Sequence, residues 1–230
     1  MSRIRLILVG LFAMFALSGI ATASAQAECP DLVNEGDVAL CKGGIEQEGL
    51  FPFLSVKTPN TPSKLLVVGG PTVVCQEALD NGTFHASNSS LLILLLIKFH
   101  GECLVTNTAE TKANCEVVEP IETKEIHGVF DGSSPLLVLF KPLTGTEFAT
   151  ITIKNIPGKA CIFKNEGSKV TGEQDCHTVS PETLAVAHLL VCPPSGSNLL
   201  FAGKKAHFEL TEEVHLNTPF LNQTWGLYLS

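Results

Sequence analysis

Apolar residues in this chain come in short runs cut by glycine, proline, asparagine and aspartate, a texture that favours strands joined by tight connections. The most extreme run is "LLILLLI", Leu91 to Ile97, followed at once by Lys98, Phe99, His100, Gly101 and Cys103. A membrane helix needs about 20 apolar residues, so this run is too short to be one. Its length and lack of alternation suit a central strand covered on both faces. Lys98 then marks the return to solvent, and Gly101 lets the chain bend toward Cys103.

Other segments carry the same signature. "KLLVV" is closed by Gly69 and Gly70 and followed by "TVVC". Asn81-Gly82 is a two-residue hairpin signal, because both central positions of such a turn favour positive φ. "EFATITIKN" alternates, with Ala149, Ile151 and Ile153 on one face and Phe148, Thr150 and Thr152 on the other. "AHFELTEEVHL" places Phe208, Leu210, Val214 and Leu216 inward, and His207, Glu209, Thr211, Glu213 and His215 outward. "TWGLYLS" reads as a last strand.

"SPETLAVAHLLVC" departs from this pattern: Ser180 can cap a helix with Pro181 and Glu182 in its first turn. A short helix near residues 180–191 is expected, with a strand as the alternative. Residues 26–63, rich in proline, glycine and charge, read as an N-terminal loop or cap. The expected fold of residues 64–230 is all-β, mainly antiparallel, as a disulfide-stapled sandwich or barrel-like domain.

The first 25 residues have the three parts of a secretory signal peptide: Arg3 and Arg5, an apolar stretch, and small residues offering cleavage before Gln26 or before Glu28. Glu28 before Cys29 argues against a lipidated cysteine. Eight cysteines follow, at 29, 41, 75, 103, 115, 161, 176 and 192, none in a Cys-x-x-Cys pair. An even count in an exported chain reads as disulfides. Roughly a hundred pairings are open; proximity along hairpins suggests Cys29 with Cys41, Cys75 with Cys103, Cys115 with Cys161, and Cys176 with Cys192. No downstream segment is apolar for long enough to form a transmembrane helix.

The net charge is −8, and both arginines lie in the signal segment. Without a basic stripe or guanidinium groups, nucleic-acid binding is not expected. Catalytic signatures are likewise missing: there is no Gly-x-Ser-x-Gly elbow, no phosphate loop and no zinc-protease pattern, so no catalytic, cofactor or metal residues are assigned. His207, Glu209, Glu213 and His215 are the nearest approach to a metal set, but they read as a solvated strand face. His100 with Cys103, and Cys176 with His177, are thiolate-base arrangements that disulfide formation removes. Asn81, Asn88 and Asn222 fit a glycosylation sequon that matters only in a host with that machinery.

The order of "VVCQ", "IKFHGEC", Cys115, "IHGVFDGSSPLLVLFKPLTGTEFATITI", Cys161 and "LLFAGKKAHFELTEEVHL" resembles a group of exported β-rich proteins from high-GC soil bacteria. The resemblance covers residues from about Lys64 to the C-terminus, implies the pairs Cys75–Cys103 and Cys115–Cys161, and brings no catalytic residues. Against that pattern the chain adds Cys29, Cys41, Cys176 and Cys192. The expected role is a non-enzymatic binding or structural module of the cell envelope or extracellular medium, with an envelope or extracellular ligand. The alternatives are a small secreted hydrolase using carboxylates such as Glu209 and Glu213, and an inhibitor using the loop Pro193 to Asn198.

Overall fold

The computed structural model describes residues 38–42, 45–58, 61–87, 90–130, 136–179, 187–193, 195–217 and 226–229. The first strands are β1 (Val38–Lys42), β2 (Ile45–Glu46), β3 (Gly49–Lys57), β4 (Ser63–Val67), β5 (Thr72–Cys75), β6 (Glu77–Ser87) and β7 (Ser90–His100). After them come β8 (Leu104–Val105), helix α1 (Ala109–Asn114), β9 (Cys115–Val117), β10 (Ile121–Glu122), β11 (Ile126–Phe130) and β12 (Leu136–Pro142). The chain continues through β13 (Glu147–Ile151), β14 (Ile153–Asn155), β15 (Ser168–Thr171), β16 (Gln174–Val179) and β17 (Ala187–Cys192). It ends with β18 (Leu199–Phe201), β19 (Lys204–Leu216) and β20 (Gly226–Leu229).

Eight of these strands close on themselves in the order β3, β6, β7, β11, β12, β16, β17, β19, with β19 pairing back onto β3. Every pairing in the ring is antiparallel. Barrel order is therefore chain order, an up-and-down barrel without free edges. Every second connection, from β3 to β6, β7 to β11, β12 to β16 and β17 to β19, carries the additional strands. Four long connections thus emerge at one end of the barrel. There β13, β15, β18, the first half of β19, β4, β5 and β8 form a second sheet. β19 links the two bodies, since Ala206 to Glu209 pair with β4 and Glu212 to Leu216 pair with β3.

The barrel interior follows from period-2 alternation: Phe51, Phe53 and Ser55 on β3, and Leu91, Ile93, Leu95, Ile97 and Phe99 on β7, are all buried. At the end that meets the second sheet, Phe208 stacks on Phe99 at 5.3 Å and meets Phe148 in a tilted contact at 5.6 Å, closing the interior with aromatic surface.

Disulfides join Cys75 to Cys103, Cys115 to Cys161 and Cys176 to Cys192, as hairpin proximity suggests. Cys41 is also disulfide-bonded, while Cys29 and the signal segment lie outside the described residues. Among the described residues no helix is long and apolar enough to cross a membrane.

Four expectations need correction. Residues 26–63 are not only a cap: they supply β1, β2 and β3, and β3 is a full barrel strand. Proline and glycine masked the alternation of "GLFPFLSV", which puts Phe51, Phe53 and Ser55 inside. Leu91 to Ile97 lie in a strand fully buried on one face and only partly covered on the other, where Leu92 and Leu94 are half-buried and Leu96 is 39 % exposed. From the segment expected to be helical, Ala187–Cys192 is strand; residues 180–186 lie outside the described residues. The helix α1 is elsewhere, capped by Thr108, whose side chain accepts from the Thr111 backbone while Thr111 reaches back.

The fourth correction concerns Asn81-Gly82, which sits in the middle of β6 rather than at a turn. β6 and β7 pair without interruption from Glu77 with His100 to Ser87 with Ser90. Gly82 is in the inward phase, opposite Phe53, and a Cβ there would stand 2.3 Å from Phe53 Cζ and 2.6 Å from the Leu94 carbonyl oxygen. The glycine makes room for an aromatic ring inside the barrel. Gly82→Ala is accordingly expected to cost about 1–3 kcal/mol through overpacking, read as a lower urea midpoint with an unchanged m value.

Candidate functional site

The outward face of β19 resolves into two separate pairs. His207 Nε2 lies 3.8 Å from Glu209 Oε1, and Lys64 Nζ lies 3.0 Å from Glu209 Oε2. His215 Nε2 lies 3.5 Å from Glu213 Oε2. At about 3.4 Å per residue, Glu209 and Glu213 are roughly 14 Å apart along the strand, too far to share a metal. No group of three or more metal-ligating side chains is assembled among the described residues. Cys103 and Cys176 are held in disulfides and offer no thiolate. His100 Nδ1 instead meets Glu77 Oε2 at 3.2 Å.

The chemically distinctive cluster is inside the barrel, on three adjacent strands. Ser55 on β3, Asp80 on β6 and Glu212 on β19 are each 0 % exposed, and the two acids are the buried charged residues of the described chain. Ser55 and Asp80 are cross-strand partners, and Glu212 lies two residues along β19 from Val214, the other partner of Ser55. Ser55 Oγ donates to Glu212 Oε2 at 2.5 Å. No donor of the described protein reaches Asp80 Oδ1, Asp80 Oδ2 or Glu212 Oε1.

Two carboxylates cannot both stay ionised side by side in an apolar interior. Burial pushes the Asp80 carboxyl well above the usual carboxylate range, and the charge of Glu212 and a hydrogen bond to it push the same way. Burial also raises Glu212, opposed by the hydrogen bonds from Asp80 and Ser55. The arrangement that satisfies both is a protonated Asp80 donating to an ionised Glu212, which also accepts from Ser55.

No motif marks these three residues, although the strand phase carries a signal for the two acids. Glu212 falls in the inward phase of β19, between Leu210 and Val214, where a charge has no reason to sit without a buried partner. Asp80 likewise shares a phase with Ala78, Phe84 and Ala86.

A third feature lies among the long connections. A cleft of about 680 Å³ opens between the segment after β7, the helix α1 and the β9–β14 pair. Leu104, Val117, Val118 and Ile156 give it apolar surface, and Lys112, Lys154, Glu102, Glu116 and Glu119 give it charge of both signs. Cys103 and Cys115 on its wall belong to different disulfides, and Cys103 N–H donates to Glu119 Oε1 at 2.5 Å. Glu102 adopts φ 59°, a left-handed conformation uncommon outside glycine, asparagine and aspartate.

No protein-family model, curated protein or solved structure matches this chain.

Proposed function

We propose that the chain is an exported β-barrel module of the cell envelope or the surrounding medium, one that holds a ligand or partner rather than transforming it. The observation that carries this reading is the cleft walled by Cys103 and Cys115. Apolar and charged groups both line it, and two disulfides fix its wall before any ligand arrives, which limits the ordering cost of binding. The acids with the most perturbed protonation, Asp80 and Glu212, are sealed in the barrel and so meet no substrate from solvent.

The test is co-sedimentation of the oxidised chain with isolated envelope from a high-GC soil bacterium. Saturable binding that Ile156→Glu weakens at least about tenfold, the effect of about 1.4 kcal/mol, with an unchanged urea midpoint, is expected. Absence of saturable binding, or equal binding by Ile156→Glu, contradicts the assignment to the cleft.

A further inference from the structure

We propose that the barrel is closed by a proton-operated latch: one proton shared between Asp80 and Glu212 keeps β3 joined to β6 and β19, and its loss as pH rises releases β3. The cluster stands where the ring of strands closes. β3 lies between β6 and β19, and each of the three strands contributes one member, Ser55, Asp80 or Glu212. All three are 0 % exposed, so water does not screen the two acids.

Removing the shared proton leaves two anions in contact, with three oxygens that no described donor reaches. Opening the strand pairing is the available relief, because it brings water to both groups. The resulting release is local for a topological reason. Cys75–Cys103 ties β5 to the segment after β7, Cys115–Cys161 ties β9 to the segment after β14, and Cys176–Cys192 ties β16 to β17. None of these three crosses β3 to β6 or β3 to β19.

Other charged residues flank the seam. Lys57 stands opposite Glu212 in the β3–β19 register. Glu213 and His215 on β19 pair with each other on the outer face, and Glu77 on β6 pairs with His100. On β7, Lys98 pairs with Glu122 at 3.2 Å.

Both buried acids have raised values in the folded state. Their stabilising contribution is therefore complete below the unfolded carboxylate range, about pH 4. It is lost progressively as pH rises from there through the folded-state value of Asp80.

The experiment is amide hydrogen exchange on the oxidised chain, normalised for intrinsic exchange, between about pH 4 and pH 9. Loss of one linked proton raises the open-to-closed ratio about tenfold per pH unit inside the window. The expected result is that rise for amides of β3 and their partners on β6 and β19, with β16 and β17 still protected. Asp80→Asn, whose amide donates to Glu212 at every pH, should abolish the rise, Glu212→Gln should do the same, and Lys57→Met should leave it in place. A flat wild-type profile overturns the proposal, as does an equal rise in all strands or persistence of the rise in both Asp80→Asn and Glu212→Gln. Disappearance of the rise in Lys57→Met also overturns it, because the seam would then depend on an ion pair and not on a shared proton.

Discussion

Asp80→Ala is expected to destabilise the oxidised chain by about 3–5 kcal/mol at neutral pH, because it leaves the Glu212 carboxylate buried with Ser55 as its remaining described donor. The double variant Asp80→Leu with Glu212→Met should behave in the opposite way. It removes both desolvation penalties and restores apolar packing, so its stability should match the parent or exceed it by up to about 4 kcal/mol. Urea denaturation of parent, single and double variants at one pH gives the comparison. A single variant as stable as the parent would mean that the acids are not buried against each other. A double variant that fails to fold would mean that the polar cluster specifies barrel closure.

Phe84→Ala is the second large effect. Phe84 is 2 % exposed on β6, and its ring centroid lies 4.7 Å from that of Phe53 on β3. This ring pair is apolar adhesion across the same β3–β6 contact that carries Ser55 and Asp80. Truncation leaves a cavity lined by Phe53 and its neighbours, and about 3–5 kcal/mol is the expected cost. Unlike the acid variants, it should lower stability equally at acid and alkaline pH, since no titrating group is removed. Urea midpoints at two pH values separate the two mechanisms.

Strand content, the antiparallel character and the Cys75–Cys103 and Cys176–Cys192 disulfides were legible because each is written within a short stretch of chain. "AHFELTEEVHL" alternates over its own length, whereas in "EFATITIKN" a register shift buries Phe148 beside Ala149 and the segment divides into β13 and β14. Barrel closure was not legible in the same way, because the β19–β3 pairing joins segments at opposite ends of the chain and no local pattern encodes it. That pairing also explains why "GLFPFLSV" read as a loop: its proline and glycine are local signals, and its burial is a long-range fact. Asn81-Gly82 misled for a related reason. The dipeptide favours a turn in isolation, yet here the glycine exists to admit the Phe53 ring, and nothing near it in sequence announces that ring.

The outer face of β7 shows a different limit. Leu92, Leu94 and Leu96 are as apolar as Ile93, Leu95 and Ile97, so composition suggested cover on both sides. The barrel interior buries only one fully; on the other Leu92 and Leu94 are half-buried and Leu96 is exposed. The candidate cluster was partly legible, since Glu212 interrupts an inward apolar phase. Its partners were not, because Asp80 and Ser55 come from strands far away in sequence.

The acid pair is sealed from water only while the ring is closed, and cross-strand nuclear Overhauser contacts between β3 and β19 test that closure most directly. The account predicts backbone contacts in the register Glu212 with Lys57, Val214 with Ser55 and Leu216 with Phe53, in the oxidised chain at mildly acid pH. Contacts from β3 to β6 alone, with none to β19, would show an open sheet and contradict it.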